Sequence, residues 1–357
     1  MSIVRRMDVA QFEVRKREHI DQALDLKNQA DGLSGLDEIK LLHEALPEMD
    51  LSEVRLHESC LGQTLATPFF IAGMTMGHPD SAQINQTLAK LCQERGWAMG
   101  VGSQRRELEG RSLPDESKEL RRSAPQAVLV ANLGLSQAIA CRSDQVQQLV
   151  DSLEAQAIAI HLNALQEAIQ AEGTPQFRGG ISTLARLVRD LKVPVIVKET
   201  GCGLSAQTLE RISSVGVSAV DVSGLGGTHW GRIEGARSPS ASLQRLAAQT
   251  FSRWGESTVD SVLAARRVLL KAPNRPFSVW ASGGVRSGLD SAKLIALGAQ
   301  RVGYAQPALQ AALAGEEALS AWMEQQEFEL RVALFCTGSA TPADLRKKEG
   351  VWSHGRS

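Results

Sequence analysis

The chain lacks an excess of charge of either sign: 39 Lys and Arg stand against 40 Asp and Glu, for a net charge of −1. No whole-chain field draws it to nucleic acid or to an acidic membrane surface, so any anion it binds must be held by a local site. It has no apolar run of the roughly 20 residues that a membrane span needs. The start, Met1-Ser-Ile-Val-Arg-Arg-Met-Asp8, has no apolar core of the kind a secretory signal carries. Cysteine is scarce and scattered: Cys60, Cys92, Cys141, Cys202 and Cys336, with no Cys-x-x-Cys pair. That odd, dispersed set argues against a disulfide framework and a zinc site, and fits a reducing cytoplasm. Also missing is Gly-x-Gly-x-x-Gly after the first strand. That place reads Gly73-Met-Thr-Met-Gly-His78, which argues against an open, doubly wound dinucleotide fold.

What is there is a rhythm. Short apolar runs without alternation recur at Phe69–Ala72, Trp97–Val101, Ala127–Ala131, Ala157–Ile160, Pro194–Lys198, Ala219–Val222, Phe277–Trp280 and Arg301–Tyr304. Runs of this kind indicate strands covered on both faces, hence a parallel sheet with helical crossovers. Helical spacing fills most of the gaps, at 80–95, 143–155, 181–191, 205–213, 259–270 and 289–297. Eight strands at a repeat of roughly 30 residues predict an α/β fold of the closed (β/α)8 TIM-barrel type. The expected division is an N-terminal helical cap over 1–67, the barrel over 68–314 and C-terminal helices over 315–357. Within the cap, 5–50 reads as largely helical, including the Leu36–Leu46 spacing, and Leu51–Leu65 as a short strand covering one end. Two excursions, 104–124 and 224–257, are expected to be lids, because loops after barrel strands carry function. The last residues, 347–357, read as loose.

Polar residues crowd the C-terminal ends of these strands, the rim where barrel chemistry sits. Two turns follow in succession: a glycine-rich one, Ala281-Ser-Gly-Gly-Val-Arg286, before a helix opening at Ser287 or Gly288, and a tight one, Tyr304-Ala-Gln-Pro307, before another. Glycine lets backbone approach a ligand, and a helix N-terminus presents unpaired N–H groups, so the pair suits a phosphate. Lys198, closing the Val195–Val197 run, needs an anion in a partly desolvated mouth. A buried pair with Glu199 or Asp221 satisfies it, and so does a reduced flavin, whose negative charge a lysine stabilises. Asn132 and Ser223 offer hydrogen bonds to a ring edge. Glu167 offers a hard oxygen to Mg²⁺, and His161 and Asn163 offer ligand contacts or satisfied core polarity. Arg15, Lys16 and Arg105 suit a diphosphate. Cys202, in Gly201-Cys-Gly203, reads as a small residue in a tight turn.

These stretches, in order, resemble the type 2 isopentenyl-diphosphate isomerases, an FMN-dependent (β/α)8 family. The likeness runs from about Arg15 to Leu345. It is carried by Arg15-Lys-x-Glu-His19, Met74-Thr-x-Gly77, Val101-Gly-Ser-Gln-Arg105, Ala131-Asn-Leu-Gly134, His161-Leu-Asn-x-x-Gln-Glu167, Pro194-Val-Ile-Val-Lys-Glu199, Val220-Asp-Val-Ser-Gly-x-Gly-Gly-Thr228 and Ala281-Ser-Gly-Gly-x-Arg286. Met76 and the stretch Ala171-Glu-Gly-Thr174 depart from the family pattern. The resemblance implies FMN held by Gly73, Met74, Thr75, Ser103, Asn132, Lys198, Ser223, Thr228, Gly283, Gly284, Val285, Arg286, Ala305 and Gln306. It implies substrate diphosphate at Arg15, Lys16, Ser103, Gln104 and Arg105, further substrate contacts at His161, Asn163 and Gln166, catalytic roles for Gln166 and Lys198, and Mg²⁺ on Glu167. It further implies NADPH as reductant, no net redox, and a cytoplasmic homo-oligomer, a tetramer or octamer. No side chain stands out as a strong paired acid and base, so reduced flavin, at or near N5, is expected to handle the proton.

The rival reading is an FMN-dependent 2-hydroxy-acid oxidase or dehydrogenase on the same barrel. It needs a histidine base and an arginine for a carboxylate. His229 and Arg232 are the nearest candidates, without a His-Gly-x-Arg arrangement.

Overall fold

The computed structural model describes residues 9–74, 76, 79–108, 116–274 and 276–355. Eight parallel strands close into a barrel: β1 (Phe69–Ile71), β2 (Ala98–Gly100), β3 (Val128–Gly134), β4 (Ala157–His161), β5 (Val195–Lys198), β6 (Ala219–Asp221), β7 (Ser278–Ala281) and β8 (Arg301–Tyr304). Each pairs with its sequence neighbours, and β8 returns to β1. The eight expected strands are these eight, to within a few residues at each end. The barrel is filled by small residues against two large ones. Ala98, Val128, Ala157, Ile196 and Ala219 point inward with Phe70 and Trp280, whose rings lie 4.9 Å apart. That taper lets the interior close as a packed core rather than a pore.

At the N-terminal end of the barrel an antiparallel hairpin, Glu58–Cys60 with Gln63–Leu65, plugs the opening and packs Cys60 and Leu65 onto the inner cluster. Arg301, wholly buried at the start of β8, donates to Thr67 O (3.0 Å) and Glu58 O (2.8 Å) and so ties plug to barrel. The cover expected within Leu51–Leu65 exists, but its strands are not where Val54 and Leu56 alternate. Those two are buried in irregular backbone.

Two other expectations are corrected. The helical spacing of Leu36–Leu46 is not a helix. After a short 3-10 turn at Leu36–Glu38, Ile39–Leu41 runs as a strand paired antiparallel with Trp352–His354. The tail is therefore not loose between 352 and 354. A partner more than 300 positions away supplies its hydrogen bonds, and no local pattern announces that pairing. The N-terminal helix, Val9–Leu24 among the described residues, ends well before residue 50. The C-terminal helices, Glu316–Cys336 and Pro342–Lys347, pack outside the barrel as foreseen. No helix among the described residues is long and apolar enough to cross a membrane.

The two excursions become short helices, of which Glu116–Ser123 packs outside the barrel against Pro79–Arg95 and Ser143–Leu153. The stretch after β2 forms Arg105–Leu108 and Glu116–Ser123. The stretch after β6 forms Trp230–Arg237 and Leu243–Thr250. Residues 28–30 cross over this second insertion: Ala30 N donates to Gly227 O (2.7 Å) and His229 N to Asn28 O (2.9 Å). The N-terminal helix thereby lies beside Trp230–Arg237, above the open end of the barrel.

Candidate active site

All eight strand ends contribute to one cavity at that rim. Gly73 and Met74 follow β1, Ser103 and Arg105 follow β2, Asn132 closes β3, and His161 and Asn163 close β4. Lys198 ends β5, Ser223 follows β6, Ser282 to Arg286 follow β7, and Ala305 and Gln306 follow β8. Gln166, Glu167 and Thr228 line it too. Thus the residues expected at the site converge, with four exceptions. Thr75 and the side chains of Arg15 and Lys16 lie outside what the structure describes. Gln104 is a correction. It is 1% exposed and does not line the cavity. Its Nε2 donates to Leu149 O (3.1 Å) and Glu107 Oε2 (3.1 Å), and its Oε1 accepts from Asn132 N. Both ends of its amide are spent, Oε1 on bracing β3 and Nε2 on the neighbouring helices, so it is a structural neighbour of the site.

The two turns differ in what they offer. Gly283 (φ 103°) and Gly284 (φ 74°) sit in the left-handed region, and a Cβ on Gly284 would lie 2.6 Å from Gly226 O. Only glycine fits there. The helix that follows, Gly288–Leu297, has its own N-terminus closed. Ser287 and Asp290 form a capping box, and Gly288 N donates to Glu329 Oε2 (2.7 Å). It therefore has few N–H groups to give, contrary to the expectation. The second helix, Gln306–Leu313, has Ala305 at its N-cap and no side-chain cap, and its first residues line the cavity. An anion in this cavity would find its donors there and on the turn backbone. Gly284→Ala is expected to destabilise the protein by about 2 kcal/mol from left-handed strain and backbone contact, seen as a fall of a few degrees in Tm by calorimetry. An unchanged Tm would show that the turn tolerates a side chain.

On the opposite wall, Lys198 is buried and its Nζ donates to Glu199 O (2.8 Å). Asp221 is its register partner across β5 and β6. Burial pulls the Lys198 ammonium below its usual range, with Asp221 and then Glu199 opposing. Burial also pushes Glu199 up to about 7, against backbone N–H groups of Cys202, Thr200 and Gly201 at 2.5–2.7 Å and the charge of Lys198. Cys202 is no nucleophile, since burial and the neighbouring Glu199 push its thiol up. Asn132 donates from Nδ2 to Val101 O (2.9 Å), which leaves Oδ1 to accept from Nδ1 of His161 (2.9 Å). That fixes the proton of His161 on Nδ1.

Around Glu167 the groups are oxygen-rich. Glu167 accepts from Asn163 Nδ2 (3.1 Å) through Oε1 and from Thr174 N (2.5 Å) through Oε2. Asn163 Oδ1 is buried with no partner among the described residues. No three His, Cys, Asp or Glu side chains gather as a metal cage among the described residues. A cation here would take two hard protein oxygens and the rest from water and ligand, which fits Mg²⁺ rather than zinc.

Residues 114–352 match the model of the FMN-dependent dehydrogenase family. The isopentenyl-diphosphate delta-isomerase of Bdellovibrio bacteriovorus is 49% identical over 346 residues, 96% of this chain and 98% of that one. Its counterpart in Legionella pneumophila (strain Lens) is 46% identical over 341 residues, 96% and 98% of the two chains. The chain belongs to the type 2 isopentenyl-diphosphate delta-isomerases. Solved structures similar to it include a mutant flavocytochrome b2 with benzoylformate, at a TM-score of 0.71 and 16% identity, covering 98% of this chain and 86% of that one. A lactate oxidase from Pediococcus acidilactici scores 0.67 at 17% identity, covering 96% and 95%. These two share the fold.

His229 and Arg232, the nearest candidates for the histidine and arginine of a hydroxy-acid oxidase, do not line the cavity. His229 is fully buried. Its Nδ1 accepts from Arg232 N (3.2 Å) as a helix N-cap, and its Nε2 lies 3.4 Å from Trp254 O. Burial lowers its pKa. Arg232 spends its guanidinium on the carbonyls of Ser252 (2.7 Å) and Gln29 (2.6 Å). Both are mortar for the insertion.

One partner of the site was missed by sequence reasoning. Glu234, 1% exposed on the insertion helix Trp230–Arg237, accepts from Gln166 Nε2 (2.9 Å) and Arg237 (2.5 Å) and lies 3.0 Å from His19 Nε2. Burial alone would raise its pKa, but His19, Arg237 and Gln166 hold it down at about 2. Nothing in Trp230-Gly-Arg-Ile-Glu234 marks the glutamate. Only its place against the N-terminal helix does.

Proposed function

We propose that the chain interconverts isopentenyl diphosphate and dimethylallyl diphosphate by a 1,3-allylic shift, with bound FMN kept reduced by NADPH and with Mg²⁺ on Glu167. The observation that carries this reading is convergence. A glycine turn beside an uncapped helix, a buried lysine, and the Gln166–Glu167 pair all face one cavity. The residues fit the cofactor: an anion-binding backbone on one wall and a cation on the other match a phosphate and an electron-rich ring. Reduced FMN supplies a proton-transfer group, which explains a site with no paired side-chain acid and base.

This chain's own residues do the rest. Gly283, Gly284, Val285, Arg286, Ala305 and Gln306 hold the cofactor phosphate. Gly73, Met74, Thr75, Ser103, Asn132, Ser223 and Thr228 frame the ring, and Lys198 balances its negative charge. Arg15, Lys16, Ser103 and Arg105 grip the substrate diphosphate together with the cation on Glu167. Gln166 has its nitrogen on Glu234 and its oxygen on Asn163 Nδ2 (3.1 Å), so it orients substrate from a fixed position. The reading carries with it a cytoplasmic homo-oligomer, a tetramer or octamer.

The test is isotopic exchange and product formation from isopentenyl diphosphate, anaerobically, with and without NADPH. Turnover that needs reductant yet consumes less than one equivalent per product is expected. Full activity on oxidised enzyme, or oxidation of lactate or glycolate instead, would refute the scheme. Glu167→Gln is expected to raise the Mg²⁺ concentration needed for half-maximal rate at least tenfold, since a neutral amide is a poorer hard ligand. An unchanged Mg²⁺ titration would move the metal elsewhere.

A further inference from the structure

Behind the cavity wall, Asp221 bonds to two residues that line it and is the register partner of a third, on three strands in all. It is not itself part of the lining, and it is 2% exposed. Its Oδ1 accepts from Ser282 Oγ (2.8 Å), beyond β7, and from Ser223 N (3.2 Å), beyond β6. Ser223 needs that support, because its φ of 37° lies in the left-handed region that non-glycine residues avoid. The other oxygen, Oδ2, is buried with no hydrogen-bond partner among the described residues. Across the strand pair its register neighbour is Lys198, and register partners on parallel strands share a face. Lys198 Nζ makes one hydrogen bond among the described residues, to Glu199 O, out of the three donors an ammonium carries.

A carboxylate oxygen without a donor and an ammonium with donors to spare share one face of the strand pair in a dry wall, beyond ion-pairing distance yet close enough for their charges to couple, and the anion is locked by two other bonds. We infer that Asp221 is the positioning residue of the site: it keeps Lys198 charged and aimed at the cofactor, and so sets how strongly the site prefers reduced over oxidised FMN. This inference rests on the flavin reading above. Without Asp221, burial favours the neutral amine. The cation that balances the reduced ring is then lost, although Asp221 touches neither cofactor nor substrate.

The alternative is that Asp221 acts only through its own negative charge, which opposes a reduced, anionic ring. The two differ in sign. Asp221→Asn keeps an oxygen for Ser282 and Ser223 while removing the charge. If Asp221 holds Lys198, the affinity ratio for reduced over oxidised FMN falls about tenfold, a midpoint potential lower by about 30 mV for the two-electron couple. If Asp221 acts only through its field, the ratio rises.

The measurement is spectroelectrochemistry on the FMN-loaded enzyme, for wild type, D221N, K198M and the double variant. In the K198M background D221N is expected to change the ratio less than twofold, because the group it acts through is gone. A ratio that is unchanged or raised in D221N, or an undiminished D221N effect in the double variant, overturns the assignment. If D221N does not fold, Ser282→Ala removes one of the two bonds to Oδ1. It should lower the ratio about threefold on Lys198 and not on Met at that position; no shift overturns the inference. A wild type that binds FMN and isomerises substrate, beside a D221N that keeps its ratio, removes Asp221 alone. A wild type that binds no FMN removes the flavin reading and this inference with it.

Discussion

Lys198→Met is expected to lower kcat by about 10²- to 10³-fold, which is ~3–4 kcal/mol of lost electrostatic stabilisation. Methionine keeps the length and much of the volume of the stem, so the loss is of charge more than packing. The cation sits in a wall where Asp221 and Glu199 are its neighbours and solvent is excluded. In such a place an unscreened charge counts for far more than it does in water. With the ammonium gone, the two carboxyl groups face burial without their counter-charge, and both move further toward the protonated form. Weaker retention of FMN on gel filtration should accompany the loss. Steady-state kinetics at saturating substrate, Mg²⁺ and reductant decides the matter. Activity within threefold of wild type would take Lys198 out of the chemistry and leave it a buried charge of the core.

The second large effect is on stability and its pH dependence, through Glu234. Its pKa is held at about 2 against an ordinary value of 4.5. At 1% exposure that corresponds to about 3 kcal/mol of coupling to folding, as an order of magnitude. A carboxylate with a depressed folded-state pKa contributes stability that is fully present above its unfolded pKa. It is lost as pH falls toward the folded value, so the window runs from about pH 5 down to about pH 2. In Glu234→Gln, His19 and Arg237 remain facing a neutral amide, and Arg237 keeps Glu18 (2.9 Å) and Glu172 (3.3 Å). The variant should be less stable at pH 7 by about 3 kcal/mol in denaturant titrations. Between pH 5 and pH 2 it should lose less further stability than wild type. Parallel stability curves across that range would show that the network is not coupled to folding. Because Gln166 Nε2 is held by the same carboxylate, the variant should also raise KM for the diphosphate substrate.

What could be read directly from the chain follows from local rules. A strand buried on both faces must be apolar throughout, so Val195–Val197 and Ala157–Ile160 declared themselves, and with their neighbours so did the barrel. Strand ends at a barrel rim carry polar residues, so Asn132, His161, Lys198 and Ser223 were found from their place after such runs. The hairpin plug was foreseen as a cover but placed at Val54 and Leu56, because alternation over so few residues looks alike in strand and coil. Ile39–Leu41 was mistaken for helix because the spacing of leucines around it is helical. The pairing with Trp352–His354 that overrides it is non-local.

By itself, then, the sequence determined the barrel, the rim that carries the chemistry, the glycine turn at 283–284 and the family, since each is written in period, position or motif. Only the tertiary structure decided which helix N-terminus is open, that Gln104 braces a strand while Arg105 faces the cavity, that His229 and Arg232 hold the insertion together, and that Asp221 and Glu234 stand behind Lys198 and Gln166. Those are questions of which polar groups already have partners. A side chain's partners are set by contacts across the fold, often between residues tens or hundreds of positions apart, and one-dimensional spacing carries no record of them.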